Sequence, residues 1–92
     1  MIDAVLTPLA SRIAEQARAQ HAEVVGWRRQ MHRHPELSFQ EISTSNFLAQ
    51  HLRGIDGLML ERPTPTSLVA RLKGGQPGAT LAIRADIDAL PI

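Results

Sequence analysis

The apolar positions in the first third of the chain recur close to helical spacing, at Leu9, Ile13, Ala17, Val24, Trp27 and Met31. Thr7 followed by Pro8 is typical of an N-cap and a first helical position. Because Pro35 disfavours helical geometry at the residue before it, the helix should end near Arg33. The pattern therefore predicts a first helix of about 25 residues, beginning at Pro8.

A second helix is predicted by a cap motif and an apolar stripe. Ser38 and Glu41 match the S-x-x-E capping box, and Leu37 and Ile42 occupy the flanking staple positions. Gly54 is the natural stop at the C-terminal end. The stripe consists of Phe39, Ile42, Ala49 and Leu52, widened by Phe47 and Leu48.

The remaining sequence is typical of strands. "LMLER" at 58–62 is a short candidate, and "SLVARLK" at 67–73 alternates apolar and polar positions. "ATLAIRA" at 79–85 is apolar enough for a central strand, and "GGQPG" at 74–78 is a turn. We expect 67–73 and 79–85 to pair as an antiparallel hairpin. Helix, helix and then strands indicate an α/β or α+β arrangement.

Composition narrows the class of protein without defining its activity. The 92 residues allow one domain at most, and 43% hydrophobic with 21% charged residues is ordinary for a folded protein. A net charge of +1 gives no reason to expect nucleic acid or a membrane as a partner. The sequence contains no cysteine, and the start of the chain carries Asp3 where a signal peptide favours a basic residue. We therefore expect a cytoplasmic protein.

The clearest candidate chemistry is the acidic segment "RADID" at 84–88. Asp86 and Asp88 follow an apolar run, and α/β proteins place sites where strands end. If strand geometry continues, both carboxylates share one face. One of them could then bind or orient a ligand while the other adjusts the properties of the first. The alternatives are a solvated strand end, or Asp88 as the cap of a following turn.

A second cluster lies around the H-x-H formed by His32 and His34. Two convergent imidazoles can bind a divalent metal, but a helix end and a proline should point these two in different directions. A simpler interpretation is that the cations of the last helical turns complement the helix dipole. With Trp27 as its neighbouring aromatic, the patch is a weak candidate for nucleic acid. The basic side chains of the patch are Arg28, Arg29, His32 and Arg33.

Three ordered segments together resemble a known family. "RRQMHRHPELSFQE" followed by Thr44, "TSLVARLKGG" and "LAIRADIDALPI" resemble motifs of the M20 metallopeptidase family. The resemblance is to its amidohydrolase branch, which includes hippurate hydrolases, N-acyl-amino-acid amidohydrolases and auxin-conjugate hydrolases. It covers residues 27–92, with Ser67 in place of the usual glycine and Ile87 in place of the common methionine.

The resemblance implies a fold, a reaction and a role for the acidic segment. Residues 1–92 would be the N-terminal, incomplete part of a three-layer α/β/α catalytic domain, without the dimerisation domain. Members hydrolyse the amide bond of small N-acyl amino acids with water activated by a divalent metal pair (zinc, manganese or cobalt), and the protein would be a homodimer. Asp88 matches the carboxylate that supports the metal site by contacting a metal ligand. Asp86, with Arg84 beside it, would be either structural or part of the same network.

The same resemblance places the metal ligands beyond residue 92, so this chain alone should bind no metal and hydrolyse nothing. The acyl group and the residues that bind substrate stay open. The competing hypothesis is a short interaction module that kept the amidohydrolase start and docks a partner through its first helix and strand edge. We also expect the 92 residues to fold marginally, because the run at 79–85 would expose a strand edge.

Overall fold

The computed structural model describes the backbone of residues 2–92 and the side chains from residue 6 onward. The chain divides into two compact units, a first that ends at Arg33 and a second from His34 to Ile92. The first unit is one helix, α1 (Ile2–Arg33). The second contains helix α2 (Ile42–Leu52) and strands β1 (Leu58–Glu61) and β2 (Val69–Leu72).

Helix α1 confirms the predicted end at Arg33, but the predicted start at Pro8 is wrong. The helix spans 32 residues and begins at Ile2, with Pro8 in its interior. An interior proline removes the hydrogen bond to the carbonyl four residues earlier. Leu6 and Leu9 are 52% and 45% exposed. On so exposed a helix, water can hydrate the carbonyl that loses its partner, which softens the penalty.

The predicted capping box of α2 is wrong. The helix begins at Ile42, and its N-cap is Glu41, whose side chain makes no capping hydrogen bond. The preceding residues form a separate turn instead, in which the Gln40 N–H donates to the Leu37 carbonyl at 2.9 Å. Phe39 has a φ of 66° in this turn, and a left-handed residue cannot serve as the first position of a right-handed helix.

The predicted apolar stripe of α2 is correct only in part. Ala49 is buried, whereas Phe39 and Ile42 are 87% and 54% exposed. The buried face of the helix is largely polar, because Thr44 and Ser45 lie on it with Ala49. The helix ends at Leu52, two residues before the predicted stop at Gly54, with Arg53 as its C-cap.

Both shorter strands lie where the sequence predicts them, but their pairing differs from the prediction. β2 pairs with β1 in an antiparallel ladder, in a register that sets Leu58 opposite Leu72 and Glu61 opposite Val69. The chain reverses through residues 62–68, where the Thr64 N–H donates to the Ser67 Oγ at 3.0 Å and the Ser67 N–H donates to the Thr64 Oγ1 at 3.1 Å. The Ser67 N–H also donates to the Thr64 carbonyl at 3.4 Å, so residues 64–67 form a turn with Pro65 in its second position, where proline is favoured.

The run at 79–85 forms no strand, so the predicted hairpin with 67–73 is wrong. A strand needs a hydrogen-bonded partner. In the described chain β2 pairs with β1 alone, so the run at 79–85 has no strand beside it. Leu81 and Ile83 are consequently 85% and 90% exposed. Among the described side chains Ala49 is the buried apolar residue, and it lies where α2 contacts β1.

Two helices and a two-stranded antiparallel sheet are compatible with the predicted α/β class. The three-layer arrangement stays a prediction. No helix in the described part of the chain combines the length and the apolar character that crossing a membrane requires.

Candidate active-site segment

The acidic segment, residues 84–88, lies along an open cavity of about 1190 Å³. Asp86 forms an ion pair with Arg84, with 2.8 Å between Oδ1 and Nη2, and both side chains are largely exposed. Asp86 and Asp88 are exposed while Ile87 between them is half-buried. Because 79–85 is not a strand, the strand geometry on which the sequence predicted a common face for the two carboxylates is absent, and the common face stays a prediction.

The opposite wall of the cavity comes from the turn before α2 and from the sheet. Ser38, Phe39 and Glu41 contribute from the turn, and Leu58, Ala70 and Leu72 contribute from the two strands. Polar and charged groups therefore converge on a partly apolar surface, which is the usual composition of a small-molecule site.

One backbone hydrogen bond fixes the end of the acidic segment. The Ala89 N–H, one residue after Asp88, donates to the main-chain carbonyl of Glu36 at 2.8 Å. Ala89 is half-buried between the exposed Asp88 and Leu90. The peptide that follows Asp88 is thus held against the segment that precedes α2.

The side chain of the same Glu36 caps α2. Its Oε2 accepts from the Ser43 N–H at 3.1 Å, and its Oε1 accepts from both the N–H and the hydroxyl of Thr44, each at 2.5 Å. Ser43 and Thr44 are the second and third residues of the helix, whose N–H groups have no partner inside it. A carboxylate at this end is also favoured by the helix dipole.

These contacts lower the pKa of Glu36 below its usual value of 4.5. The hydrogen bond from the Thr44 hydroxyl is the largest cause, and the two backbone N–H groups act in the same direction. Partial burial opposes them by disfavouring the charged form.

Sequence reasoning missed Glu36 and assigned the capping role to Glu41. Capping rules look for an acceptor at the N-cap itself, and Glu36 lies five residues before that position. A signal was present nonetheless, because Glu36 and Thr44 both belong to the first motif that resembles the amidohydrolases.

The other sequence candidates do not assemble into a metal site. His32 lies in the last turn of α1, His34 is the first residue of the second unit, and both are exposed. Among the described residues there is no group of three or more histidine, cysteine, aspartate or glutamate side chains placed to hold a metal ion. Asp86 and Asp88 offer carboxylate oxygens suited to supporting a metal, but they are not by themselves a ligand set.

Comparison with known proteins identifies a class of hydrolases. The chain is 57% identical over 70 residues to an N-acyl-L-amino acid amidohydrolase of Geobacillus stearothermophilus, covering 76% of this chain and 19% of that protein. It is 43% identical over 76 residues to an N-acetylcysteine deacetylase of Bacillus subtilis, covering 82% of this chain and 20% of the relative. It is also 43% identical over 76 residues to thermostable carboxypeptidase 2 of Saccharolobus solfataricus, covering 76% of this chain and 19% of that protein.

The chain spans about one fifth of the length of the curated relatives it matches. No protein-family model matches it, and no solved structure matches it. The names of these relatives fit the M20 amidohydrolase family that the three motifs resemble, and the chain is similar to amidohydrolases over most of its length.

Proposed function

We propose that these residues form part of an enzyme that hydrolyses the amide bond of small N-acyl amino acids. The observation that carries the proposal is the 57% identity to an N-acyl-L-amino acid amidohydrolase across a stretch of 70 residues. The exposed pair of carboxylates along an open cavity supports it, because amide hydrolysis needs polar groups beside a site that admits a substrate. We call the complete gene product that contains residues 1–92 the whole protein.

Within the whole protein, we assign Asp88 the role of orienting a metal ligand through a hydrogen bond. Carboxylates in that role fix the direction of a histidine ligand and raise its basicity. Asp86 is engaged by Arg84, so its charge is partly neutralised. This leaves Asp88 as the carboxylate better able to serve another group, while the Arg84–Asp86 pair shapes the same wall of the cavity.

The cofactor is proposed from the resemblance and not from this chain's own residues. A divalent metal pair (zinc, manganese or cobalt) would supply water of lowered pKa for attack on the amide carbonyl. The described residues include no group of three or more histidine, cysteine, aspartate or glutamate side chains placed to hold that metal. We expect the isolated 92-residue chain to be inactive.

We propose that the whole protein is cytoplasmic, since residues 1–92 contain no cysteine and so suit a reducing compartment. We propose a homodimer from the resemblance, with neither nucleic acid nor membrane as a partner. The alternative function is a non-catalytic interaction module, which is favoured by the exposure of Leu81 and Ile83, at 85% and 90%.

The test is hydrolysis of a panel of N-acyl amino acids by the whole protein and by its Asp88→Asn variant. The substitution keeps the shape of the side chain and removes its charge, and we expect kcat to fall by roughly 10- to 100-fold with KM little changed. Asp56→Asn is the matched control, since Asp56 is an exposed aspartate between α2 and β1.

Removal of metal by a chelator, followed by addition of zinc, manganese or cobalt, tests the cofactor in the same assay. A whole protein that hydrolyses no member of the panel with any of these metals would contradict the proposal and favour the interaction module. Full activity in the Asp88→Asn variant would contradict the role of Asp88 alone.

A further inference from the structure

Glu36 contacts two parts of the second unit at once. Its side chain holds the first turn of α2, and its main-chain carbonyl holds the peptide that follows Asp88. We infer that Glu36 is a positioning residue for the acidic segment, and that it sets the place of Asp88 relative to α2. The catalytic consequence of this inference rests on the proposed function, whereas the mechanical link does not.

Both the chain before Glu36 and the side chain of Glu36 are restrained. Pro35 has a fixed backbone dihedral φ, which restricts the course of the chain immediately before Glu36. Three hydrogen bonds anchor the carboxylate to Ser43 and Thr44. A charged acceptor makes such bonds stronger than neutral ones.

The remainder of the acidic segment lacks comparable support. The run at 79–85 makes no ladder, and the ion pair of Asp86 is with its near neighbour Arg84. The bond from Ala89 to Glu36 is therefore the hydrogen bond that ties this segment to another part of the described chain. Asp88 is joined covalently to the donor of that bond, so a displacement of Glu36 must be transmitted to it.

Two substitutions break the link from opposite sides. Glu36→Gln keeps the length of the side chain but removes its charge, and it turns one acceptor oxygen into an N–H₂ group that cannot accept from Ser43 or Thr44. Thr44→Val keeps the shape of Thr44 and removes the hydroxyl that donates to Glu36. Thr44→Ser restores the hydroxyl and serves as the conservative rescue.

Two controls separate the link from general effects of substitution. Ser43→Ala leaves intact the backbone N–H that Glu36 accepts, so it changes the same turn without breaking the contact. Glu61→Gln makes the same chemical change as Glu36→Gln at a glutamate of β1 whose contact is an exposed ion pair with Arg71.

The first measurement is hydrogen exchange at the Ala89 amide in the whole protein, which needs no activity. We expect exchange to rise by about tenfold in Glu36→Gln and by less in Thr44→Val, and to stay near the unsubstituted rate in Thr44→Ser, Ser43→Ala and Glu61→Gln. Exchange in the β1–β2 ladder should not change. A role confined to capping α2 would raise exchange in α2 and leave Ala89 as it was, which would overturn the inference.

The second measurement is steady-state kinetics of the same variants. We expect kcat to fall by roughly 3- to 10-fold in Glu36→Gln, with KM unchanged and Thr44→Ser near normal, because Glu36 acts through Asp88 at one remove. Faster exchange at Ala89 with unchanged kcat in an active enzyme would also overturn the inference. If the unsubstituted whole protein is inactive, the proposed function fails, and the exchange measurement alone decides whether Glu36 holds the acidic segment. Thr44→Val keeps the test decisive if Glu36→Gln does not fold.

Discussion

Phe39 occupies a backbone conformation that its side chain disfavours, and replacing it should stabilise the start of α2. The Gln40 N–H closes a four-residue turn onto the Leu37 carbonyl at 2.9 Å, with Phe39 in its third position. The φ of Phe39 is 66°, and Ser38 has no positive φ, which together describe a type II turn. Glycine or asparagine is preferred at that position of a type II turn.

The magnitude follows from two opposing terms. A left-handed conformation costs an ordinary L-residue roughly 1–2 kcal/mol. Phe39 is 87% exposed, so removing its ring forfeits little burial. A fully buried aromatic covers about 200 Å², so the small covered part of this ring is worth at most about 0.7 kcal/mol. We expect Phe39→Asn to raise the local unfolding free energy of the first turn of α2 by about 0.5–1 kcal/mol.

The assay is hydrogen exchange of the Ser43 and Thr44 amides in the whole protein, read as a local opening free energy. Phe39→Leu is the control, because it removes the ring but lacks the short polar side chain that lets asparagine adopt the left-handed conformation, and it should change little. A loss of 1 kcal/mol or more in Phe39→Asn would refute the reasoning, since it would mean that the ring packs against another part of the whole protein.

Two further substitutions probe the contact between α2 and the sheet. Ser45 is fully buried and its Oγ has no hydrogen-bond partner among the described residues, so Ser45→Ala should raise the unfolding free energy by about 1 kcal/mol in a denaturant titration. A loss of stability there would show that the hydroxyl has a partner in the whole protein. Arg62 donates from Nη1 to Asn46 Oδ1 at 2.8 Å and from Nη2 to the Ser45 carbonyl at 3.3 Å. Arg62→Lys cannot keep both bonds and should cost about 0.5–1.5 kcal/mol in the same titration, whereas Arg71→Lys, at an exposed ion pair, should cost less.

Local rules predicted those parts of the fold that are decided by neighbours in sequence. The end of α1 follows from the steric effect of Pro35 on the residue before it, and the positions of β1 and β2 follow from apolar runs bounded by turn residues. The predicted start of α1 was wrong because placing Pro8 at the first helical position assumed that a proline inside a helix costs too much free energy. On an exposed helix that free-energy cost is smaller, because water can hydrate the carbonyl that loses its hydrogen bond.

Pairing and capping could not be predicted because they depend on contacts between residues that are distant in sequence. β2 pairs with β1 and not with 79–85, and the alternating pattern of β2 does not indicate which of the two runs is its partner. The cap of α2 comes from Glu36, outside the window in which capping boxes are sought. Separation in sequence also limited the prediction of the candidate site. The apolar run before Asp86 and Asp88 singled out the acidic segment, but no pattern indicated that Ala89 would bond to Glu36.

The charge of Glu36 makes the stability of the α2 cap depend on pH, and the direction follows from its lowered pKa. The folded state binds the proton of Glu36 less tightly than the unfolded chain does, whose value is close to 4.5. The contribution of the cap to stability is therefore complete above that value, and it is lost as the pH falls through the lower pKa of the folded state. Exchange of the Ser43 and Thr44 amides, corrected for the intrinsic effect of pH, should accelerate over that acidic range.

The same titration identifies the group responsible, since Glu36→Gln cannot titrate and should make the corrected exchange independent of pH there. Thr44→Val removes the largest cause of the shift, so the pKa of Glu36 should move back towards 4.5. NMR titration of the Glu36 carboxyl carbon measures that movement directly. If Glu36 titrates at or above 4.5 in the unsubstituted protein, partial burial outweighs the three hydrogen bonds. The carboxylate would then not be the form that holds α2, and the cap described here would be wrong.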